Sequence, residues 1–428
     1  MKTSKFKMTE LGPIPEDWEV KPFSECFTLI RNNTYARECL TDHPGSVANV
    51  HYGDVLIKYG AVLDFAKNAV PYLKSDVKPN KDMLRDGDLV FADTAEDEAV
   101  GKAVEVQGLK SRMAVAGLHT VASRPHDGLF APRYLGYYIN SAAYHNQLLT
   151  LITGTKVSSV SRAGFLSTYV AIPPKGEQER IAETLSDVDA LLSAMATLIE
   201  KKRAIKQGAM QELLGMRNVE CGMRNVPRRR LAGFSGAWIE KRLGDVCEIN
   251  PRMEGEIPER FIYVDLESVV GGILTAKKIL LRTEAPSRAQ RRFKCGDILF
   301  QTVRPYQRNN LLVDFDAEDY VASTGYAIIR GIELCSRSEF IYHLVHMDGF
   351  VNDVIDRCTG TSYPAINPRR LAEIMIHIPE EVAEQQAIAG VLSDMDAEIA
   401  ALEADRAKYE SIKQGMMQEL LTGKTRLV

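Results

Sequence analysis

The strongest constraint on this chain is a long segment that occurs twice. Residues 178–214, QERIAETLSDVDALLSAMATLIEKKRAIKQGAMQELL, recur as residues 385–421, QQAIAGVLSDMDAEIAALEADRAKYESIKQGMMQELL, with 19 of 37 aligned positions identical. A repeat of this kind is read before any local pattern, because each copy must find a surface on which to bury its apolar face. In the first copy Ile181, Leu185, Val188, Leu192, Met195 and Ile199 alternate spacings of four and three, and the stripe resumes at Ile205. In the second, Ile388, Leu392, Met395, Ile399 and Leu402 do the same, followed by Tyr409, Ile412, Met416 and Leu420. Neither copy contains proline. So narrow a stripe, with charge on the other faces, predicts a coiled-coil seam rather than a helix wrapped by a globular core. The two helices are predicted to pair with each other, each spanning roughly 55 Å at about 1.5 Å per residue. Each large side chain buried on the seam contributes roughly 1.5 to 3 kcal/mol, enough in sum to hold two helices together but not one alone in water.

The bulk numbers bound what the helices separate. The 428 residues suffice for two to four domains, and 45% hydrophobic with 26% charged residues is an ordinary globular composition. No run approaches the roughly 18 apolar residues of a membrane span, and MKTSKFKMTE has no apolar segment behind its lysines, so a cytoplasmic protein without membrane contact is expected. The seven cysteines are scattered and never form CxxC, against a disulfide framework or a zinc site. A net charge of -4 neither announces nor excludes a nucleic-acid partner, because only local clustering matters.

Read in order, residues 1–174 alternate short β-branched and aromatic runs such as GDLVFAD with Gly, Pro, Asn and Asp punctuation, plus one helical piece over residues 133–151. This predicts a mixed domain with a strand-rich body. The first long helix occupies residues 175–214, and a linker follows over residues 215–230, GMRNVECGMRNVPRRR, which holds GMRNV twice. A second domain covers residues 231–379, and the second long helix with its tail covers residues 380–428. The domains correspond: Trp18 with Trp238, GDLVFA from Gly87 with GDILFQ from Gly296, Gly154 and Thr155 with Gly360 and Thr361, Ile172 and Pro173 with Ile378 and Pro379. Between these landmarks the residues differ freely, so one scaffold carries two different surfaces. The expected fold class is α+β: two similar mixed domains separated by two long helices that form an antiparallel coiled coil, an internal pseudo-two-fold repeat.

Motifs for bond-making chemistry are missing. There is no HExxH, no Cys/His ligand spacing, no GxSxG elbow and no Gly-rich dinucleotide turn. Gly423, Lys424 and Thr425 imitate the end of a P-loop, but Gln418 stands where its first glycine is needed. The N-P-P-aromatic tetrapeptide with which amino-methyltransferases hold a target nitrogen is absent, and the acidic stretch from Asp93 to Glu98 reads as a solvated loop. No catalytic residue and no metal ligand is assigned.

Binding is expected at loops that mix basic, aromatic and amide groups. QTVRPYQRNN places Arg304, Tyr306, Gln307 and Arg308 with two asparagines after a strand; arginine pairs with guanine, and asparagine or glutamine with adenine. The GT loops add Lys156, Ser158 and Arg162 in one half and Thr361, Tyr363 and Arg369 in the other. Cations at such loops mainly hold phosphates, which fixes register without reading sequence. The runs from Arg228 to Arg230 and from Arg288 to Arg292 read as solvated faces.

With these features in hand, the chain resembles the specificity subunits of type I restriction-modification systems over essentially its whole length. The resemblance rests on the doubled unit of domain plus helix, the helix starts KGEQERIAETLSDVDALL and VAEQQAIAGVLSDMDAEI, the helix ends IKQGAMQELL and IKQGMMQELL, GD followed by a hydrophobic pair and an F in each domain, and the GT loop before each helix. It implies two target-recognition domains, each reading half of an asymmetric, interrupted site in double-stranded DNA. It implies a subunit without chemistry of its own, bound to two modification subunits that methylate adenine with S-adenosylmethionine, and through them to motor and nuclease subunits that use ATP and Mg. The helices would act as a ruler between half-sites and as part of the docking surface, with the GMRNV repetition a departure that bears on the gap. The alternative from another class is a non-catalytic coiled-coil scaffold whose two domains bind proteins, which lacks the steep salt dependence of phosphate contacts.

Overall fold

The computed structural model describes residues 5–79, 82–154, 156–216, 227–252 and 255–427. Contacts divide the chain into two units, Met1–Ala196 with Asp405–Val428, and Thr197–Ala404. Each unit holds one strand-rich domain and parts of both long helices, Lys175–Leu213 and Val382–Leu420, of 39 residues each.

In the first unit a five-stranded sheet runs in the order Phe27–Ile30, Thr120–Pro125, Leu89–Ala92, Ala103–Gln107, Val62–Asp64, and a four-stranded sheet in the order Met113–Ala116, Val47–Val50, Tyr72–Leu73, Leu40–Thr41. The second unit repeats the plan with Cys247–Ile249, Tyr326–Gly331, Ile298–Gln301, Leu311–Leu312 and with Lys278–Leu281, Arg260–Val264, Tyr320–Ser323, Ala289–Arg292. Both domains have a parallel pair at the same place, Met113–Ala116 on Val47–Val50 and Tyr320–Ser323 on Arg260–Val264, and the first domain has a second, Ala103–Gln107 on Val62–Asp64. The GD motif has a physical reason. Gly87 and Gly296 adopt φ of +90° and +86°, a left-handed turn that glycine enters without steric cost. The following carboxylates, Asp88 and Asp297, are buried and take both arms of Arg124 and Arg330 at 2.6 to 2.9 Å.

The helical reading of residues 133–151 is corrected to two short helices, Tyr134–Ile139 and Ala142–Leu149. Side chains at the break compete for the backbone: Asn140 bonds both the N–H and the carbonyl of Ala103, and the Ser141 hydroxyl donates to the Tyr138 carbonyl.

The long helices are rooted by a Glu-Gln pair that sequence reading passes over. At the first root Gln178 accepts from the Ala131 N–H and donates to the Leu129 and Pro173 carbonyls. At the second Gln385 accepts from the Arg337 N–H and donates to the Cys335 and Pro379 carbonyls. The preceding glutamates are buried as well. Glu177 accepts from the Trp18 indole N–H at 3.0 Å and from Arg426 at 2.6 and 2.8 Å. Glu384 accepts from the Trp238 indole at 3.4 Å and from Arg230 at 2.8 and 2.6 Å. Each clasp thus joins a domain's Trp, a helix start, and an arginine that follows the end of the other helix. Arg230 is therefore not part of a solvated face; its partner Glu384 is fully buried.

Within each unit the helix parts run antiparallel. Asp189 meets Lys413 in the first, and Asp396 meets Lys206, its counterpart, in the second, beside Arg203 with Glu403. The expected seam is only partly a helix-helix seam. Ile181 and Leu185 belong to the core of the first domain, Ile388 and Leu392 to that of the second. Ile199 and Ile399 are buried, while Val188, Leu192, Met195, Met395 and Leu402 are half-buried. Ile205, Tyr409 and Ile412 are exposed at 48, 37 and 41%, against the reading that continues the stripe through them. Two helices in contact cover one narrow line, and the domains cover only the helix starts and ends.

Arg426→Ala leaves Glu177 buried without its cation, which costs about 3 to 5 kcal/mol. Hydrogen exchange should quicken over residues 15–22 and 169–185 while residues 236–246 and 375–390 keep their protection; equal loosening of both regions would contradict separate clasps. His343, buried against Ser393, is held neutral: burial, then Lys206 and His346, push its pKa from 6.5 down to about 3. The folded imidazole binds its proton less tightly than the unfolded one, so this contribution is complete above pH 6.5 and declines as the pH falls toward 3. His343→Gln should therefore flatten the acid limb of the unfolding curve between these values, by a few kcal/mol at most, roughly; an unaltered limb would rule the histidine out.

Candidate nucleic-acid interface

At one end of each domain's sheets, five loops that are distant in sequence converge. In the first domain they follow Phe27–Ile30, Val47–Val50, Leu89–Ala92 and Met113–Ala116, and include the GT loop before the helix Arg162–Leu166. Their hydrogen bonds close a ring. The Asp93 N–H donates to the His119 carbonyl at 3.2 Å, and the Val160 N–H donates to the Asp93 carbonyl at 2.9 Å. The Asn32 amide donates to the Gly117 carbonyl at 3.1 Å, and Arg162 donates to the Asn32 side chain at 2.6 Å. Tyr52 packs edge-on against His119 with ring centroids 5.3 Å apart.

The second domain repeats this frame with other side chains. The Thr302 N–H donates to the Gly325 carbonyl and the Ile366 N–H to the Thr302 carbonyl, at 2.9 and 3.0 Å. A cleft of about 570 Å³ opens there, lined by Arg288, Val303, Thr324, Gly325, Tyr363 and Ala365. The Arg304 guanidinium lies 4.4 Å from the center of the Tyr363 ring. A neighboring cleft of about 320 Å³ is lined by Arg252, Arg291 and Arg292 among others. Arg288, exposed, and Arg291 and Arg292, half-buried, thus line clefts on the face where the sequence places a solvated run. Their clustering was not visible beforehand because Arg252 arrives from a different strand end.

Both GT loops are small closed turns, paired Thr153 with Ser159 and Thr359 with Ala365. Gly154 has φ +103°, and a Cβ there would lie 2.1 Å from the Val157 carbonyl oxygen, so no other residue fits. Lys156 is exposed on this turn, Ser158 is half-buried in a strand pair with Ala95, and Arg162 is exposed. Thr361, Tyr363 and Arg369 are exposed in the second domain, Arg369 in the first turn of the helix Pro368–Ala372. Thr155 and most of the GMRNV repetition lie outside the described residues.

The loop after Ile298–Gln301 is more constrained than its sequence suggests. Arg304 and Arg308 both have φ near +53° around the turn Pro305–Gln307, a conformation that costs free energy and persists where the surroundings impose it. Arg308 donates to the His346 carbonyl at 3.0 Å and to Asp348 at 2.6 Å, and Gln307 accepts from Gln301 at 2.8 Å. Asn310 is buried and accepts from the Gln301 N–H, so it holds the loop. Tyr306 is exposed at 50% and Arg304 faces the cleft wall formed by Tyr363. Among the described residues no group of three or more His, Cys, Asp or Glu could hold a metal ion.

A sequence model of the type I restriction modification DNA specificity domain matches residues 15–202 and again residues 236–414. The chain belongs to this specificity family. As a member it is a DNA-recognition subunit, and each match spans one strand-rich domain with most of the long helix that follows it. The MjaX chain of Methanocaldococcus jannaschii, which carries the name of a type I restriction enzyme specificity subunit, is 26% identical over 457 aligned positions, covering 100% of this chain and 98% of that one. The same fold is found in a chain from a structure of a type I R-M system, with a TM-score of 0.57, 16% identity and coverage of 96% of this chain and 99% of that one. It is found again in the type I restriction-modification S subunit from M. genitalium, with a TM-score of 0.55, 15% identity and coverage of 98% of each chain. No described helix of this specificity chain is long and apolar enough to cross a membrane.

Arg304 and Arg308 should behave differently. Arg304→Ala is expected to relax discrimination at one base pair by about 1 to 3 kcal/mol if the guanidinium reads a guanine. Arg308→Ala should loosen the loop and weaken binding to all sequences alike. Competition binding with single-substituted duplexes separates the two; a sequence-selective loss for Arg308→Ala would show that its pairing with Asp348 yields to DNA.

Proposed function

We propose that each domain reads one half of an interrupted, asymmetric site in double-stranded DNA, and that the chain directs chemistry carried out by partners. One observation carries this reading: the same two backbone bonds join the loops at the same sheet ends, clad with Asn32, Asp93, His119 and Arg162 in one domain and with Arg252, Arg288, Arg304 and Tyr363 in the other. A scaffold that bound two copies of one protein would need like surfaces, whereas two different half-sites need unlike ones. The second surface is rich in arginine, which suits phosphate and guanine.

The partners are two modification subunits, which would supply S-adenosylmethionine and transfer methyl groups to adenine, and motor and nuclease subunits that would use ATP and Mg. The chain itself takes no catalytic role in this scheme and works in the cytoplasm. Equivalent seats for two identical partners are supported by the helices: Ile205 and Ile412 stand 207 positions apart in the duplicated segments and are exposed at 48 and 41%. Apolar side chains left uncovered at equivalent positions suit symmetric docking better than solvent.

Co-expression with the cognate modification subunit in a methylation-free host, followed by single-molecule sequencing, tests the reading. One split motif methylated on both strands is expected. An intact complex that methylates no adenine, or only a continuous motif, would refute it.

A further inference from the structure

The acidic stretch after Leu89–Ala92 looks like a solvated loop in the sequence, and for most of it that holds. Glu96, Asp97 and Glu98 are exposed, and the Asp97 carboxylate accepts from the Ala99 N–H within its own turn. Asp93 is different. Its backbone is fixed on both sides by the ring of bonds to His119 and Val160. Its carboxylate accepts from the Thr94 hydroxyl at 2.9 Å and lies 3.8 Å from His119 Nδ1, with 26% of the side chain still exposed. His119 is itself held in a left-handed conformation, φ +53°, with its ring against Tyr52 and half exposed.

A carboxylate kept at this place is costly for a chain that grips DNA, whose phosphates carry one charge per roughly 1.7 Å of duplex. The cost is offset if the carboxylate receives a hydrogen bond from a base. An ionised carboxylate only accepts, and the donors that bases present in the major groove are the exocyclic amino groups of cytosine and adenine. The cations needed beside it are present: Arg162 is tied to Asn32 on the same ring, and Lys156 is exposed on the adjoining turn. The corresponding residue of the second domain, Thr302, is buried and spends its hydroxyl on the Gly325 carbonyl. A carboxylate at this position is therefore a property of the first surface and not a requirement of the scaffold.

We infer that Asp93, steadied by His119, determines specificity in the first domain by accepting a hydrogen bond from the amino group of a cytosine or adenine in its half-site. This rests on the DNA-reading function proposed above. The test uses the complex with its modification subunit and compares methylation motifs for Asp93→Asn, His119→Gln and Asp97→Asn with that of the unsubstituted chain. In Asp93→Asn one position of one half-site should become degenerate, with the preference for the original base falling on the order of tenfold or more, while the other half-site stays sharp and reports that the subunit is folded. His119→Gln should relax the same position less, and Asp97→Asn should leave the motif as it was. An unchanged motif in Asp93→Asn, uniform loss of methylation at all sites, or an equal effect of Asp97→Asn each overturns the inference. Absence of a split motif for the unsubstituted chain refutes the underlying function instead, so the two failures are told apart.

Discussion

Everything in this fold that bears on function depends on the burial of one glutamate at the start of each long helix. A buried carboxylate is expensive unless its charge is neutralised and its oxygens are bonded, and Glu177 and Glu384 each meet that condition with partners from two distant parts of the chain, a tryptophan and an arginine. The tryptophan fixes the domain to the helix, and the arginine fixes the segment that leaves the other helix. Removing the arginine leaves a buried charge unpaired, and removing the glutamate leaves both the indole N–H and the guanidinium without their acceptor. The adjacent Gln178 and Gln385 are buried and add directional bonds to loop carbonyls, those of Leu129 and Cys335.

A reading surface needs this rigidity. Discrimination between bases depends on hydrogen-bond geometry, and a loop displaced by an ångström loses it. Both domains meet the need with the same two backbone bonds, which join the loop after the central strand to two of its neighbours whatever side chains the loops carry, and in the first domain the Asn32 and Arg162 side chains close the ring. The Asp88–Arg124 and Asp297–Arg330 pairs tie together the opposite ends of the same strands. The two surfaces then diverge in charge, one carrying a carboxylate and a histidine, the other a cluster of arginines around an open cleft.

The repeat, the helices and the existence of two domains with one plan were legible in the sequence, because periodicity and self-similarity are local properties that survive in one dimension. So were the GD turns and the GT loops, whose glycines follow from left-handed backbone. The roots of the helices were not legible. Glu177 and Glu384 fall among other charged residues on a helix, and nothing in composition tells a buried carboxylate from a solvated one. The same blindness made Arg230 look like part of a charge run, Asp93 like part of an acidic loop, and Ile205 and Ile412 like members of a seam.

The sequence by itself therefore determined the architecture: apolar spacing of three and four demands long helices, and a duplicated order of strands and helices demands a duplicated fold. Only the tertiary structure decided which polar groups have partners. Pairing requires atoms within about 3 Å, and the residues that meet here, Trp18 with Glu177 and Arg426, or Asn32 with Gly117 and Arg162, lie tens to hundreds of positions apart along the chain.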